Sequence, residues 1–514
     1  MVAYNTTLNP SFNPSFNPSV NQNPFFKLSH KSNYLYNVYK SSKFQSKSKS
    51  VALANLFSHN KNSNFKQLLN KLYLEFKEHE PIINKINIDS TRVDVSKEVA
   101  TDKITHILKT IFSDSRYIDK TIVDYIDANI NKCSMITYEN IINGQTFTFN
   151  FIIYDKTKIN IKKLNNCVKA MLLFLQVIIN ITNNKKVSTN SEIVSEKVST
   201  NICNINGLQV NFFMTHFVKE FELYTNKVLG AININSGLTY PCQKTGEIYI
   251  YRKHEFFKVF IHETLHSYNV DKLAHTNYES NSNFQSLIKT FNIESSANSY
   301  TKIGLNEAVT EFWAFIIHTF IYCYNNSSNF SKLLENFERF YKIEVSHSFF
   351  QVAKILHVNK LNYAQFLTTI TKNGPVLYNE TSHILSYIFF KSLLIYNVEK
   401  VIVSNIFNFR LDAFKLDIKL NPNNPIEQLF IMLREYSLAH NTISLINASY
   451  TIYKKYLSLV KPSKKRTFKK TYFLNLYSNK LLHKNKSHKS HKSKSYVNYL
   501  LTNLNFMVID YNSC

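Results

Sequence analysis

Two histidines four residues apart, His262 and His266, bracket Glu263 in the run His262-Glu263-Thr264-Leu265-His266. On an α-helix, side chains at i and i+4 lie one above the other on one face. Both imidazoles can then reach one metal ion. Glu263 lies beside the first of them, close enough to exchange a proton with a water activated at that ion. Two nitrogen ligands and a neighbouring carboxylate are the parts that zinc-assisted hydrolysis of an amide requires. The flanks favour a buried helix, with Val259, Phe260 and Ile261 before the motif and Leu265 inside it. Buried His and Glu need polar partners, and a metal supplies them. The plainer alternative is a helix whose polar groups face solvent, because a chain with 17 His produces such a pentapeptide by chance at some rate.

A catalytic zinc takes three protein ligands and keeps a fourth position open, so a third must lie elsewhere. The metzincin continuation HExxHxxGxxH fails, since position 269 is Asn and position 272 is Lys, and no Met stands between His266 and Met432. His275 fits no known spacing, and Asp271 lacks the Gly-Thr expected before an aspzincin-like ligand. The stronger candidate is Gly304-Leu305-Asn306-Glu307-Ala308-Val309-Thr310-Glu311-Phe312-Trp313. Glu307 and Glu311 are i,i+4 on one face of an apolar helix, where two carboxylates repel unless a cation lies between or beside them. This run resembles the second zinc-binding helix of the gluzincins, closest to the thermolysin-like pattern G-x-x-N-E-A-x-[ST]-[DE]. It is also similar to the Leu-Asn-Glu element of a related aminopeptidase family. The resemblance implies Glu307 as third zinc ligand, Glu311 as the acid that hydrogen-bonds His262, and Asn306 as support for His266. The reverse assignment, with Glu311 as ligand, stays open. The resemblance covers two motifs and the order of elements over roughly residues 145–320. The 40 residues between His266 and Glu307 exceed gluzincin practice, and their Asn/Ser-rich middle, 277–299, reads as a loop insertion near the site.

These motifs need a frame. Thr146–Tyr154 reads as a strand, Ile161–Ile181 as a long apolar helix, and Leu208–Met214, Gly230–Asn235 and Glu247–Arg252 as strands leading into the His262 helix. The expected fold class is α+β: a zincin-like catalytic domain, with a mixed sheet, the HExxH helix and the Glu helix, between mainly helical N- and C-terminal parts. The expected divisions are a disordered low-complexity 1–60, a helical 61–144, a catalytic 145–325, a helical 326–460 and a basic tail 461–514. Helices are expected at Phe65–His79 and Lys103–Ser113. In the resembling family an edge strand takes the substrate backbone by strand addition. Here Ala231–Asn235 is the candidate, with Ala231, Asn233 and Asn235 as substrate-binding residues. That family also draws an oxyanion-stabilising His or Tyr from the helical part. His383 and Tyr387 are the candidates, with Tyr378 beside them, although each can equally be an ordinary core or surface aromatic.

A hydrophobic content of 44% suffices for a core in a chain of this length. The abundance of Phe, Tyr, Ile, Asn and Lys points to an AT-biased genome and resembles proteins of large DNA viruses of protists and of AT-rich parasites. Residues 9–20 are a tandem Asn-Pro-Ser-Phe-type repeat, and 41–50 a Ser/Lys run. The net charge of +26 is concentrated towards the end, where 461–494 holds twelve Lys/Arg and no acid. That stretch is a candidate contact for nucleic acid or an anionic surface, or a solvated tail. Six scattered cysteines without a CxxC pair indicate neither a zinc ribbon nor a disulfide framework and favour a reducing compartment. No signal-peptide pattern and no run able to span a bilayer is expected, which suggests a cytoplasmic or virion-associated protein. The leading expectation is a metallopeptidase with one Zn²⁺, acting on a peptide or protein. The alternative is a catalytically silent zincin-fold structural or nucleic-acid-binding protein that acts through its basic tail.

Overall fold

The computed structural model describes residues 26–40, 63–94, 98–112, 117–154, 160–183, 205–270, 280–293, 303–367, 377–403, 425–458, 460 and 488–510. The repeat at 9–20, the Ser/Lys run at 41–50, Asp271, His275 and the basic stretch 461–487 lie outside them.

Six strands form one mixed sheet in the order β1-β2-β3-β4-β6-β5. They are β1 (Ser90–Asp94), β2 (Ser134–Ile142), β3 (Gln145–Ile153), β4 (Gly207–Phe213), β5 (Gly237–Thr239) and β6 (Thr245–Ile250). The helices that matter for the site are α1 (His30–Lys40), α2 (Asn64–Lys85), α3 (Ile161–Asn183), α4 (Phe256–Ser267), α5 (Leu305–Asn325) and α6 (Phe330–Val358). The fold is thus mixed α+β, with helices dominant.

β2 and β3 are a hairpin closed by Asn143-Gly144, both at positive φ (50° and 75°), as a two-residue turn matched to strand twist requires. β3 and β4 run parallel, joined through α3, and β4 and β6 are also parallel. β5 runs antiparallel to β6 and is an edge. The central strands alternate, with apolar residues on one face and Thr148, Asn150, Gln209, Asn211 and Glu247 among those on the other. Phe147, Phe149 and Phe151 with Val210, Phe212, Ile248 and Ile250 join the large core against α3, α4 and α5. On the opposite face Ile152, Phe213, Tyr249 and Tyr251 pack with Ile104, Ile122 and Ile126.

That alternation fixes α4. Phe260 is buried against Phe149 and Phe212 of the sheet and Phe174 of α3, at ring separations of 6.1, 6.3 and 5.9 Å. Burying such a side chain contributes about 2–3 kcal/mol. With Phe260 turned to the sheet, Lys258, His262 and His266 are carried on other sides of the helix, and α5 packs along it.

Several expectations are corrected. Gly230–Asn235 is not a strand: Ala231–Ile234 is a single helical turn. The buried guanidinium of Arg252 explains it, since it donates to the carbonyls of Asn235, Val218 and Ile232 and so gathers the loop around one cation. Strands β1 and β2 fall in a region expected to be helical. Within the expected low-complexity N-terminus, α1 is a helix packed on α6, with Tyr36 on Phe340 (5.3 Å) and Tyr39 on Phe350 (5.9 Å). Inside the expected loop 277–299, Ser282–Ile288 is helical. The expected basic tail ends in a helix, His488–Thr502, followed by a segment whose Leu504, Met507, Val508 and Ile509 are buried. Cys242 is disulfide-bonded, against the expectation of reduced cysteines, while Cys133, Cys167 and Cys323 are buried and outside any disulfide. No helix among the described residues is long and apolar enough to cross a membrane.

Candidate metal centre

α4 and α5 pack side by side and bring three donor atoms together. Nε2 of His262 and Nε2 of His266 are 3.0 Å apart. Oε2 of Glu307 lies 3.3 Å from the first and 3.2 Å from the second. Among the described residues this is the group of His, Cys, Asp and Glu with the geometry to hold a metal ion. The edges of the triangle test the fit. Bonds of about 2.0–2.2 Å in a tetrahedral zinc site set neighbouring ligand atoms roughly 3.3–3.6 Å apart. The observed triangle is close to that and slightly contracted. A single proton satisfies only one edge of it, leaving lone pairs facing one another, whereas a cation satisfies all three. The donor set, two imidazoles and a carboxylate, suits Zn²⁺.

The surroundings prepare these donors. Glu311, one turn beyond Glu307, sets its Oε2 2.8 Å from Nδ1 of His262. An imidazole that donates from Nδ1 offers its lone pair at Nε2. Lys258 in turn bonds both oxygens of Glu311. Burial alone pushes the Glu311 carboxyl up, but Lys258 and His262 outweigh it and hold it well below the usual carboxylate range. Burial likewise opposes ionisation of Glu307, and the two histidines overcome it. The Asn306 amide lies beside Glu307, with Nδ2 3.5 Å from Oε1.

Glu263 stands apart. It is 6% exposed and, among the described residues, makes no hydrogen bond or ion pair. Burial raises its pKa, only partly offset by His262 and His266. The edge strand β5 passes directly over it. A Cβ at Gly237 would stand 2.8 Å from Oε1 of Glu263, so the close approach depends on glycine.

Across the site, Tyr387 lies with its ring 6.0 Å from that of His262, and burial, with the Glu307, Glu263 and Glu311 carboxylates, pushes its hydroxyl pKa up. It sits in a π-helical turn, Ser386–Phe390, a local widening that turns side chains out of the regular helical pattern. His383 is 6.4 Å from Tyr387, and its Nδ1 would stand 3.1 Å from a Cβ at Gly304. Both oxyanion candidates therefore border the donor triangle. Tyr378 does not: it is buried and donates to Glu380 at 2.6 Å.

Three expected site residues are placed otherwise. Asn233 is committed to the turn, receiving the Gly230 N–H at 3.0 Å and donating to the Glu220 carbonyl at 2.7 Å. Asn235 donates to the Tyr117 carbonyl at 3.0 Å and receives the Ser382 hydroxyl at 2.9 Å. With Ala231 also in that turn, no extended edge exists there. The edge beside Glu263 is Gly237–Thr239. Sequence reasoning missed Gly237, Lys258 and Phe506. Lys258 had a signal, as the lone charge in Phe256-Phe257-Lys258-Val259-Phe260-Ile261 one turn before His262. Phe506 had none, because it arrives from a distant segment. No family model matches this chain, and neither a curated protein nor a solved structure does.

Proposed function

We propose that the protein is a zinc-dependent metallopeptidase of gluzincin-like type. The observation that carries this reading is the convergence of His262, His266 and Glu307 beside an unpartnered Glu263. His262, His266 and Glu307 would hold the ion. When bound, Zn²⁺ supplies a Lewis acid that polarises a carbonyl and lowers the pKa of water.

The protein's own groups account for the remaining roles. Glu263 takes the proton from the attacking water as the new C–O bond forms. It passes that proton to the leaving nitrogen as the C–N bond breaks, so carboxylic acid and amine are the products. Its raised pKa suits a group that must both accept and release a proton near neutrality. β5 offers a free strand edge to an extended peptide, which aligns the scissile bond over Glu263. Tyr387 and His383 present donors on the far side, where the carbonyl oxygen gains charge.

The test joins metal content to hydrolysis. Purified protein is expected to carry one zinc per chain, lost in both His262→Ala and Glu307→Ala. Glu263→Gln is expected to keep zinc and lose cleavage of a peptide library. Cleavage retained by Glu263→Gln would sink the mechanism, and metal-free wild-type protein that takes up no zinc would sink the assignment.

A further inference from the structure

Behind the donor triangle lies a set of buried charges that hydrolysis does not itself require. Lys219, Lys258 and Lys391 are 0%, 1% and 2% exposed, and Glu255, Glu311 and Glu344 are 2%, 0% and 0% exposed. Three cations face three carboxylates, so the cluster is neutral when all are ionised. Each buried ion needs its partner, because removing one leaves the other uncompensated in a low-dielectric interior.

Lys258 is the member nearest the site. It lies four residues before His262 on α4, hence on the same side of the helix, and bonds both oxygens of Glu311. Its remaining side is closed by Phe506, whose ring centre is 4.0 Å from the ammonium. Lys219 stands 3.5 Å from the same ring, so one aromatic face system serves two cations. Phe506 is held there through its backbone neighbours. Its carbonyl accepts from Lys391 at 3.1 Å. The Met507 N–H donates to Glu255 at 3.1 Å, and the Val508 and Ile509 N–H groups donate to Glu344 at 2.8 Å each. The chain of contacts runs from the 503–510 segment through Phe506, Lys258 and Glu311 to Nδ1 of His262.

We propose that Lys258 is a positioning residue of the candidate metal centre: with Phe506 closing its outer side, it holds the Glu311 carboxylate against Nδ1 of His262 and so fixes the tautomer whose Nε2 faces the other donors. This rests on the zinc reading above. It assigns the segment 503–510 a part in the site although no residue of it touches the three donors. Without Lys258 nothing would aim the Glu311 carboxylate at Nδ1, the side chain would turn away, and His262 would lose the neighbour that selects its tautomer.

Two measurements on the full-length protein test this. One is zinc affinity by competition with a chromophoric chelator. The other is the pair of imidazole ¹⁵N shifts of His262 in the metal-free protein, which distinguish the tautomers. Lys258→Met is expected to weaken zinc binding about 10–100-fold, the range for outer partners of metal ligands, and to shift His262 towards mixed tautomers. Glu311→Gln is expected to do the same, and the double variant to be no weaker than Glu311→Gln alone, because the lysine acts through the carboxylate. If Lys258→Met does not fold, Lys258→Gln takes its place: its shorter, neutral amide cannot bond both Glu311 oxygens as the ammonium does, so a smaller loss of affinity and a shift of the His262 tautomer in the same direction are expected. A folded Lys258 variant with wild-type affinity and an unchanged His262 tautomer overturns the proposal, as does full additivity with Glu311→Gln. Wild-type protein that binds no zinc instead overturns the zinc reading itself.

Discussion

Replacing Gly237 by alanine tests how closely the edge strand and Glu263 are fitted. The added Cβ would stand 2.8 Å from Oε1 of Glu263, 2.9 Å from Cγ1 of Val259 and 3.0 Å from Cγ of Glu263. Ordinary contact begins at 3.4 Å, so the gap must open by 3.4 − 2.8 = 0.6 Å or more. Val259 is 4% exposed on a helix wedged between sheet and α5 and has nowhere to go. The adjustment therefore falls on the three-residue strand β5 and on the Glu263 side chain. Overpacking of this kind costs about 1–3 kcal/mol of stability. A misplacement of about 1 Å costs on the order of 100-fold in rate. A shift of 0.6 Å thus corresponds to roughly a tenfold loss in kcat, with a rise in KM because the strand proposed to take substrate has moved. Zinc content should be unchanged, since no donor atom faces Gly237. The assay is peptide hydrolysis at saturating and limiting substrate, with zinc measured on the same samples. A Gly237→Ala enzyme with wild-type kcat/KM would refute the close fit, and loss of zinc would show that β5 supports the donors rather than the substrate.

Two further predictions concern stability. Burial lowers the pKa of His318 to about 3. It therefore stays neutral in the fold while the unfolded chain protonates near the ordinary value of about 6.5. The unfolded state then binds more protons, and stability falls as pH drops through about 6.5, by roughly 1.4 kcal/mol per pH unit for this one group. Glu344 and Glu380, which burial pushes up to about 8, act in the opposite direction. The comparison is accordingly between wild type and His318→Leu in urea at pH 6.5 and pH 5.5. The variant should gain about 1 kcal/mol relative to wild type over that unit, since the unfolded imidazole is already half protonated at its start, and an unchanged difference would contradict a neutral His318. Deleting residues 504–514 should abolish folding. It removes the buried Leu504, Met507, Val508 and Ile509, roughly 8 kcal/mol of burial, and takes the backbone partners from Glu344 and Lys391. Cooperative unfolding of the truncated chain at the wild-type midpoint would disprove this.

The sequence by itself determined the local chemistry. HETLH on an apolar helix specifies two imidazoles on one face, because i and i+4 coincide whatever the helix packs against. Glu307 and Glu311 follow by the same spacing, and in the structure Oε2 of Glu311 lies 2.8 Å from Nδ1 of His262. The strands Gln145–Ile153, Gly207–Phe213 and Thr245–Ile250 were legible as apolar runs. β2 is legible as well, since Asn143-Gly144 is a strong short-range hairpin signal. Tertiary structure decided what depends on residues far apart in the chain. Gly230–Asn235 looks extended by composition, but Arg252 gathers three of the surrounding carbonyls and makes a turn of it. The edge over Glu263 is therefore Gly237–Thr239, a run too short to carry a periodic signal. The 503–510 segment looks like the end of a basic tail, yet it threads among Glu255, Glu344 and Lys391 and brings Phe506 to Lys258. Periodicity reports which way a side chain faces on its own element. It carries no information about which distant backbone a buried charge will bind, and at this site that pairing sets the second layer of the donor triangle.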